Sequence, residues 1–144
     1  MTKKWSVLLI DDEEDYRVLF ASALKESSLD VELLEVSDGL AGLNYLRGEE
    51  PYDDRERFPV PDLVILDLKL PGMDGLTVLK EIRKKPGLQK LPVIILTNSE
   101  VKNDVTRAYS SFASGFHRKP ANYEELVSLV QTVIPLWLQN GATA

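Results

Sequence analysis

Residues 62–75 read DLVILDLKLPGMDG. Leu63, Val64, Ile65 and Leu66 are apolar, and the run stops on a carboxylate, Asp67. A short apolar run of this kind reads as a strand buried on both faces. The Pro71-Gly72 pair beyond it marks a turn, and Gly75 belongs to the same turn geometry. Asp74 is placed to cap the helix that follows. Strand, turn and helix make one unit of a parallel sheet, in which the crossover must return the chain to the same end.

The unit recurs on both sides of this stretch. SVLLI (6–10) is a buried strand, and residues 14–27 set Tyr16, Leu19, Phe20, Ala23 and Leu24 at helical spacing. VELLEV (31–36) is a strand nearer an edge, because it is less apolar. Residues 39–47 form a helix, with Asp38 at its start and Gly48 past its end. Residues 74–85 form another through Leu76, Leu79 and Ile82, stopped by Pro86-Gly87. LPVIILT (91–97) is a fourth buried strand, and residues 100–112 form a helix through Val101, Val105, Ala108 and Phe112. GFHRK (115–119) is a short fifth strand. Asn122 caps the last helix, with Glu124 and Glu125 in its first turn.

This is βα repeated five times: an α/β protein with a five-stranded parallel sheet, doubly wound, (βα)5, flavodoxin-like, in strand order 2-1-3-4-5. The expectation is one domain over residues 1–144. Residues 49–61, EEPYDDRERFPVP, read as an extended solvated loop before the third strand. Pro135 falls inside the last helix, which is expected to kink or end near Ile134, with an extension over 135–140 that carries Leu136, Trp137 and Leu138.

Composition excludes several classes. The net charge of −6 leaves no basic excess to neutralise phosphates, so nucleic acid is not an expected partner. No apolar run is long enough to span a bilayer, and the N-terminus lacks a signal-peptide pattern, so a membrane role is not expected and the cytoplasm is the default location. With no cysteine and the single His117, thiolate chemistry and multi-histidine metal sites are excluded.

In an open α/β sheet, ligands sit beyond the carboxyl ends of the strands, where the strand order reverses. Strand 1 ends at Asp11, Asp12 and Glu13, strand 3 at Asp67, strand 4 at Thr97 and strand 5 at Lys119. Clustered carboxylates repel one another unless a cation joins them. Oxygen ligands alone select a hard cation, and Mg²⁺ uses one or two carboxylates plus phosphate oxygens. A lysine and a hydroxyl around such a carboxylate can stabilise a transferring phosphoryl group, and the carboxylate itself can be the nucleophile.

IDDEE (10–14), VILDLKLPGMDG (64–75), ILTNS (95–99) and GFHRKP (115–120), in this order and each at a strand end, resemble the receiver domain of two-component response regulators. Each motif alone is weak; the four together are specific and cover essentially the whole chain. The resemblance implies a phosphoacceptor switch that promotes its own phosphorylation, not a turnover enzyme. It implies Asp67 as acceptor, Asp11 and Asp12 as the acid pair with Asp12 the favoured direct Mg²⁺ ligand, and the backbone carbonyl of Lys69 as a further ligand. Thr97 maps to the switch hydroxyl, Lys119 to the phosphate-binding lysine, Phe116 to the switch aromatic, and Lys119-Pro120 to a cis peptide bond. Lys69 and Ser99 occupy variable positions that tune phosphoryl lifetime, while Asn98 stands where a small residue is usual and is expected to crowd phosphate access. The implied partners are a sensor histidine kinase and a downstream protein that reads the face of helix 4, strand 5 and helix 5. The extended loop, the LTNS tetrad and the tail VIPLWLQ further resemble the phytochrome-linked group of single-domain regulators.

Other readings make different demands. A haloacid-dehalogenase-type phosphatase needs a second Asp two residues past the nucleophile, where this chain has Lys69. A flavodoxin-like cofactor carrier needs a phosphate-cradling loop after strand 1, where DDEED repels phosphate. A pseudo-receiver, a binding module that works without phosphorylation, is the alternative that Asn98 leaves open. His117 alternates with Phe116 and is expected at the surface. The last helix has a wider apolar arc than one buried face needs, which suits a homodimer or partner surface.

Overall fold

The computed structural model describes residues 4–99 and 102–143, with side chains as far as Leu138. Its elements follow the expected order. They are β1 (Trp5–Ile10), α1 (Glu14–Glu26), β2 (Val31–Val36), α2 (Gly39–Arg47), β3 (Leu63–Leu66), α3 (Gly75–Lys84), β4 (Val93–Thr97), α4 (Lys102–Ser110), β5 (Gly115–Arg118) and α5 (Tyr123–Thr143). All strand pairs are parallel and the sheet order is β2-β1-β3-β4-β5. The expected helix start at 100 and 101, including Val101, lies outside the described residues.

Strand periodicity divides the core. Leu8, Ile10, Val64, Leu66, Val93 and Ile95 point to one face and pack with Leu43, Leu46, Val78, Leu79, Ile82 and Ala108. Val7, Leu9, Leu63, Ile65, Ile94 and Leu96 point to the other and pack with Phe20, Ala23, Leu24, Leu126, Val130 and Ile134. Caps form where expected: Asp38 Oδ1 accepts from Ala41 N at 2.7 Å, Asp74 Oδ1 from Thr77 N at 2.9 Å and Asn122 Oδ1 from Glu125 N at 2.9 Å. Gly48 closes α2 in the left-handed region at φ 70°.

Three local expectations are sharpened or corrected. Residues 49–61 are mostly exposed, as a solvated loop should be, but Tyr52, Arg55 and Phe58 are half-buried and pack inward. Arg55 donates to Tyr45 O at 2.8 Å, Leu46 O at 3.0 Å and Phe58 O at 3.2 Å, so it caps the last carbonyls of α2. Tyr45, Tyr52 and Phe58 pack edge-to-face or tilted, with ring centroids 5.1–5.9 Å apart. Composition alone hid this, because the charged residues face out around an aromatic centre. Second, α5 continues through Pro135, so the expected extension over 135–140 is helical and the helix does not end near Ile134. A mid-helix proline costs about 3 kcal/mol; burial of Ile134 and Leu138 on either side contributes roughly 2 kcal/mol each. Third, Lys119-Pro120 is trans; the cis bond among the described residues is Glu50-Pro51.

At the amino end of the strands Arg83, from α3, gathers three carbonyls: Leu91 O at 2.7 Å, Phe112 O at 2.9 Å and Leu88 O at 3.1 Å. No described helix is long and apolar enough to cross a membrane.

Candidate functional site

β1 and β3 are neighbours, so Asp11 and Asp67 leave the sheet side by side. Asp67 N donates to Ile10 O at 3.1 Å, which fixes that register at the rim. Gly75 lets α3 close against this strand end: a Cβ there would lie 2.2 Å from Asp67 O and 2.6 Å from Leu68 Cα. Lys119 follows β5, and its amide donates to Thr97 O at 2.9 Å, drawing the β4 and β5 ends together.

Asp67 is 3% exposed and Asp11 1%. Thr97 Oγ1 donates to Asp67 Oδ1 at 2.7 Å, and Lys69 N donates to the same oxygen at 3.0 Å. The Lys119 side chain is 3% exposed, and its Nζ reaches Asp11 Oδ2 at 2.9 Å, Asp67 Oδ2 at 3.1 Å and Glu13 Oε1 at 3.1 Å. Its three N–H donors thus meet three different carboxylates. Tyr16 lies against the same ammonium, with Nζ 4.2 Å from the ring centroid.

Electrostatics follow from this crowding. Burial raises the Asp11 pKa, and the hydrogen bonds from Lys119 and the Glu13 amide only partly oppose it. Burial works against the Lys119 ammonium, but its bonds to and attraction by Asp11 and Asp67 prevail and hold its pKa above the ordinary lysine value. The lysine stays charged while the carboxylates share it. Asp11, Asp12, Glu13 and Asp67 set four carboxylates against this one ammonium.

That imbalance fits a divalent cation. Asp11, Asp12 and Asp67 each offer a carboxylate oxygen, and these oxygens lie within 4.8 Å of one another. An all-oxygen donor set suits a hard ion. Asp12 is exposed at the edge of the group, where a hydrated ion would enter. The amides of Leu70 and Gly75 both donate to Leu68 O, at 3.2 and 2.9 Å, which shapes the turn after Asp67.

The fold therefore gathers Asp11, Asp12, Asp67, Thr97 and Lys119. Lys69 enters through its backbone, and its residue is exposed. Phe116 stands apart, half-buried against the α2–α4 side of the core. Asn98 is exposed at a surface depression shared with Glu13, Tyr16 and Lys119. His117 corrects its expectation: it is half-buried beside Leu129, Val130 and Val133, because the second face of β5 is covered by α5, and burial lowers its pKa.

Sequence reasoning missed two participants. Glu13 was legible only as part of an acidic run. Tyr16 sits one helical turn beyond Asp12, a spacing that could have marked it, but its apolar body read as core. Its hydroxyl is buried without a hydrogen-bond partner. The Ser99 hydroxyl also donates to Asp104 Oδ2, tying the segment after β4 to the first turn of α4.

Comparison with known proteins agrees with this geometry. A family model described as the response regulator receiver domain matches residues 7–131. The chain belongs to the response regulator receiver domain family, a signalling family. Response regulator Rcp1 of Synechocystis is 36% identical, with 92% of this chain and 88% of Rcp1 covered. The structure of the phosphorylated cyanobacterial phytochrome response regulator RcpA superposes with a TM-score of 0.87 at 32% identity, covering 96% of each chain. The Mn²⁺-bound form of Rcp1 gives 0.83 at 36% identity, covering 94% of this chain and 95% of Rcp1.

Proposed function

We propose that this chain is a single-domain phosphorelay switch that takes a phosphoryl group from a histidine kinase onto Asp67. The observation that carries the reading is the pairing at Asp67: a hydroxyl on one oxygen and an ammonium on the other, both buried. The similarity extends over 92% of this chain and 88% of Rcp1, a response regulator, which supports the receiver role. The similarity to RcpA, a phytochrome response regulator, supports a phytochrome-like kinase as donor.

In this reading an Asp67 carboxylate oxygen attacks the phosphorus of a phosphohistidine. The P–O bond forms as the P–N bond breaks, and the electron pair returns to the imidazole, which takes up a proton. Asp11, Asp12, Asp67 and the Lys69 carbonyl would hold Mg²⁺, which supplies positive charge to the phosphoryl oxygens; the Mn²⁺-bound form of Rcp1 supports a divalent ion here. Lys119, already in contact with Asp67 Oδ2, neutralises a developing oxyanion. Phosphorylation turns the Asp67 carboxylate that Lys119 and Thr97 contact into an acyl phosphate whose charge lies on the phosphoryl oxygens, so both turn to those oxygens. The segment after β4 follows Thr97, Phe116 repacks, and the face of α4, β5 and α5 changes its affinity for a downstream protein. The exposed Leu136 supports pairing of two copies through α5 as one such response.

Intact mass after incubation with acetyl phosphate and Mg²⁺ tests the reading. The expected result is gain of one phosphoryl group, lost in Asp67→Asn and without Mg²⁺. A folded, Mg²⁺-binding protein with no gain overturns it and leaves a pseudo-receiver binding module.

A further inference from the structure

The end of the molecule opposite Asp67 carries a feature that neither the fold nor the phosphoryl chemistry uses. After α4 the chain reverses in a paired capping motif: Phe112 N donates to Tyr109 O at 3.0 Å and Ala113 N to Ala108 O at 2.9 Å. This motif puts its turning residue in the left-handed region, where glycine is the ordinary occupant. Here that residue is Phe112, at φ 69°. A bulky side chain in this conformation is strained. Nor does the ring gain compensation from the core, because Phe112 is 72% exposed. An exposed aromatic kept at a glycine position points to a role outside the fold.

Its neighbours define that role. Phe112 and the exposed Tyr109 line a groove with Arg83, Gln89, Lys90, Ala113 and Ser114, and no acidic side chain lines it. Arg83 fixes the wall, holding Phe112 O at 2.9 Å. α3 and the turn after it, which supply this wall, carry Arg83, Lys84, Lys85 and Lys90 in a chain whose net charge is −6. Lys84 is paired with Glu81, whereas Lys85 and Lys90 have no acidic partner among the described residues. Aromatic area flanked by the unpaired Lys90 and the Arg83 guanidinium, in an otherwise acidic protein, is complementary to one kind of surface.

We propose that the Tyr109–Phe112 groove docks an acidic segment of a partner protein, with an apolar side chain of that segment against Phe112 and its carboxylates near Lys90. The site is independent of Asp67, so it stands or falls separately from the phosphorelay reading.

The test uses the full chain and a display library of random peptides, with counter-selection on the bare support only. The expected pool is rich in Asp and Glu around an apolar residue. Its binding should weaken by at least about tenfold in Phe112→Gly and in Lys90→Glu, and weaken as salt rises. Phe112→Gly should also shift the denaturation midpoint upward, so lost binding cannot be ascribed to misfolding. A pool without acidic bias, or binding indifferent to both substitutions, overturns the proposal. So does a lower midpoint in Phe112→Gly, because the ring would then be serving the fold. Binding of a labelled single-stranded oligothymidine that Phe112→Gly abolishes would also overturn it, in favour of a nucleic-acid site.

Discussion

The two ends of the sheet each gather polar groups around a buried or half-buried cation, and they do it with opposite chemistry. At the carboxyl end Lys119 binds three carboxylates. At the amino end Arg83 binds three backbone carbonyls. A carbonyl is a fixed dipole that cannot be neutralised or modified under ordinary conditions, so the Arg83 contacts are permanent and tie α3, the turn after it and the α4–β5 connection into one block. A carboxylate carries a full charge that a metal ion or an acyl bond can change. Each such change alters what Lys119 prefers to bind. A planar, forked guanidinium suits the static end, and a compact ammonium suits an end whose partners carry charges that can change.

Substitutions at the two cations probe this contrast most directly. Lys119→Ala leaves Asp11 and Asp67 buried without their counter-charge, which should lower unfolding free energy by about 4 kcal/mol in chelator. Mg²⁺ should restore most of that loss in urea titrations, because the carboxylates can take the ion instead. Arg83→Ala should cost about 3 kcal/mol through its orphaned carbonyls, and the loss should be the same with or without Mg²⁺. Equal Mg²⁺ responses in the two variants would break the distinction between a switchable and a static end.

Smaller effects sharpen it. Thr97→Ala removes the hydroxyl that donates to Asp67 and should cost about 2 kcal/mol. Intact mass should still show phosphoryl gain, while the phosphorylation-dependent change in intrinsic tryptophan fluorescence, with Trp137 on α5 as reporter, is lost. The smallest effect belongs to His117. Burial keeps its pKa below the ordinary 6.5, so the fold favours the neutral ring and the unfolded chain takes up the proton first. Its share of stability is complete above that value and declines as the pH falls below it. His117→Leu should therefore flatten the acid side of the stability profile between pH 6.5 and 5 by under about 1 kcal/mol, measured by urea midpoints at each pH.

Much of this was legible along the chain. LVIL, SVLLI and VIILT carry uninterrupted apolar runs that only a sheet covered on both faces accommodates. The caps at Asp38, Asp74 and Asn122 depend on neighbours three residues away. The site residues were legible for a related reason: each stands directly after a strand, and a parallel sheet brings all strand ends to one rim. Asp11, Asp67, Thr97 and Lys119 could therefore be placed together before any distance was known.

What stayed hidden depended on contacts between distant residues. Arg55 sits in a segment whose composition suggests solvent, yet its guanidinium has the last carbonyls of α2 as partners. Glu13 and Tyr16 meet Lys119 across more than a hundred residues, and no periodicity encodes that meeting. His117 alternates outward from Phe116 on paper, but α5 covers that face. Pro135 would end an isolated helix, and here packing of Ile134 and Leu138 against the sheet carries the helix past it. The sequence by itself determined the elements, their order and the rim on which the acids, hydroxyl and lysine meet, because hydrophobic period and capping act over a few residues. Tertiary structure alone decided which oxygen each donor takes, which side of a loop packs and which aromatic is left in solvent, because those outcomes depend on how distant segments share limited space and charge.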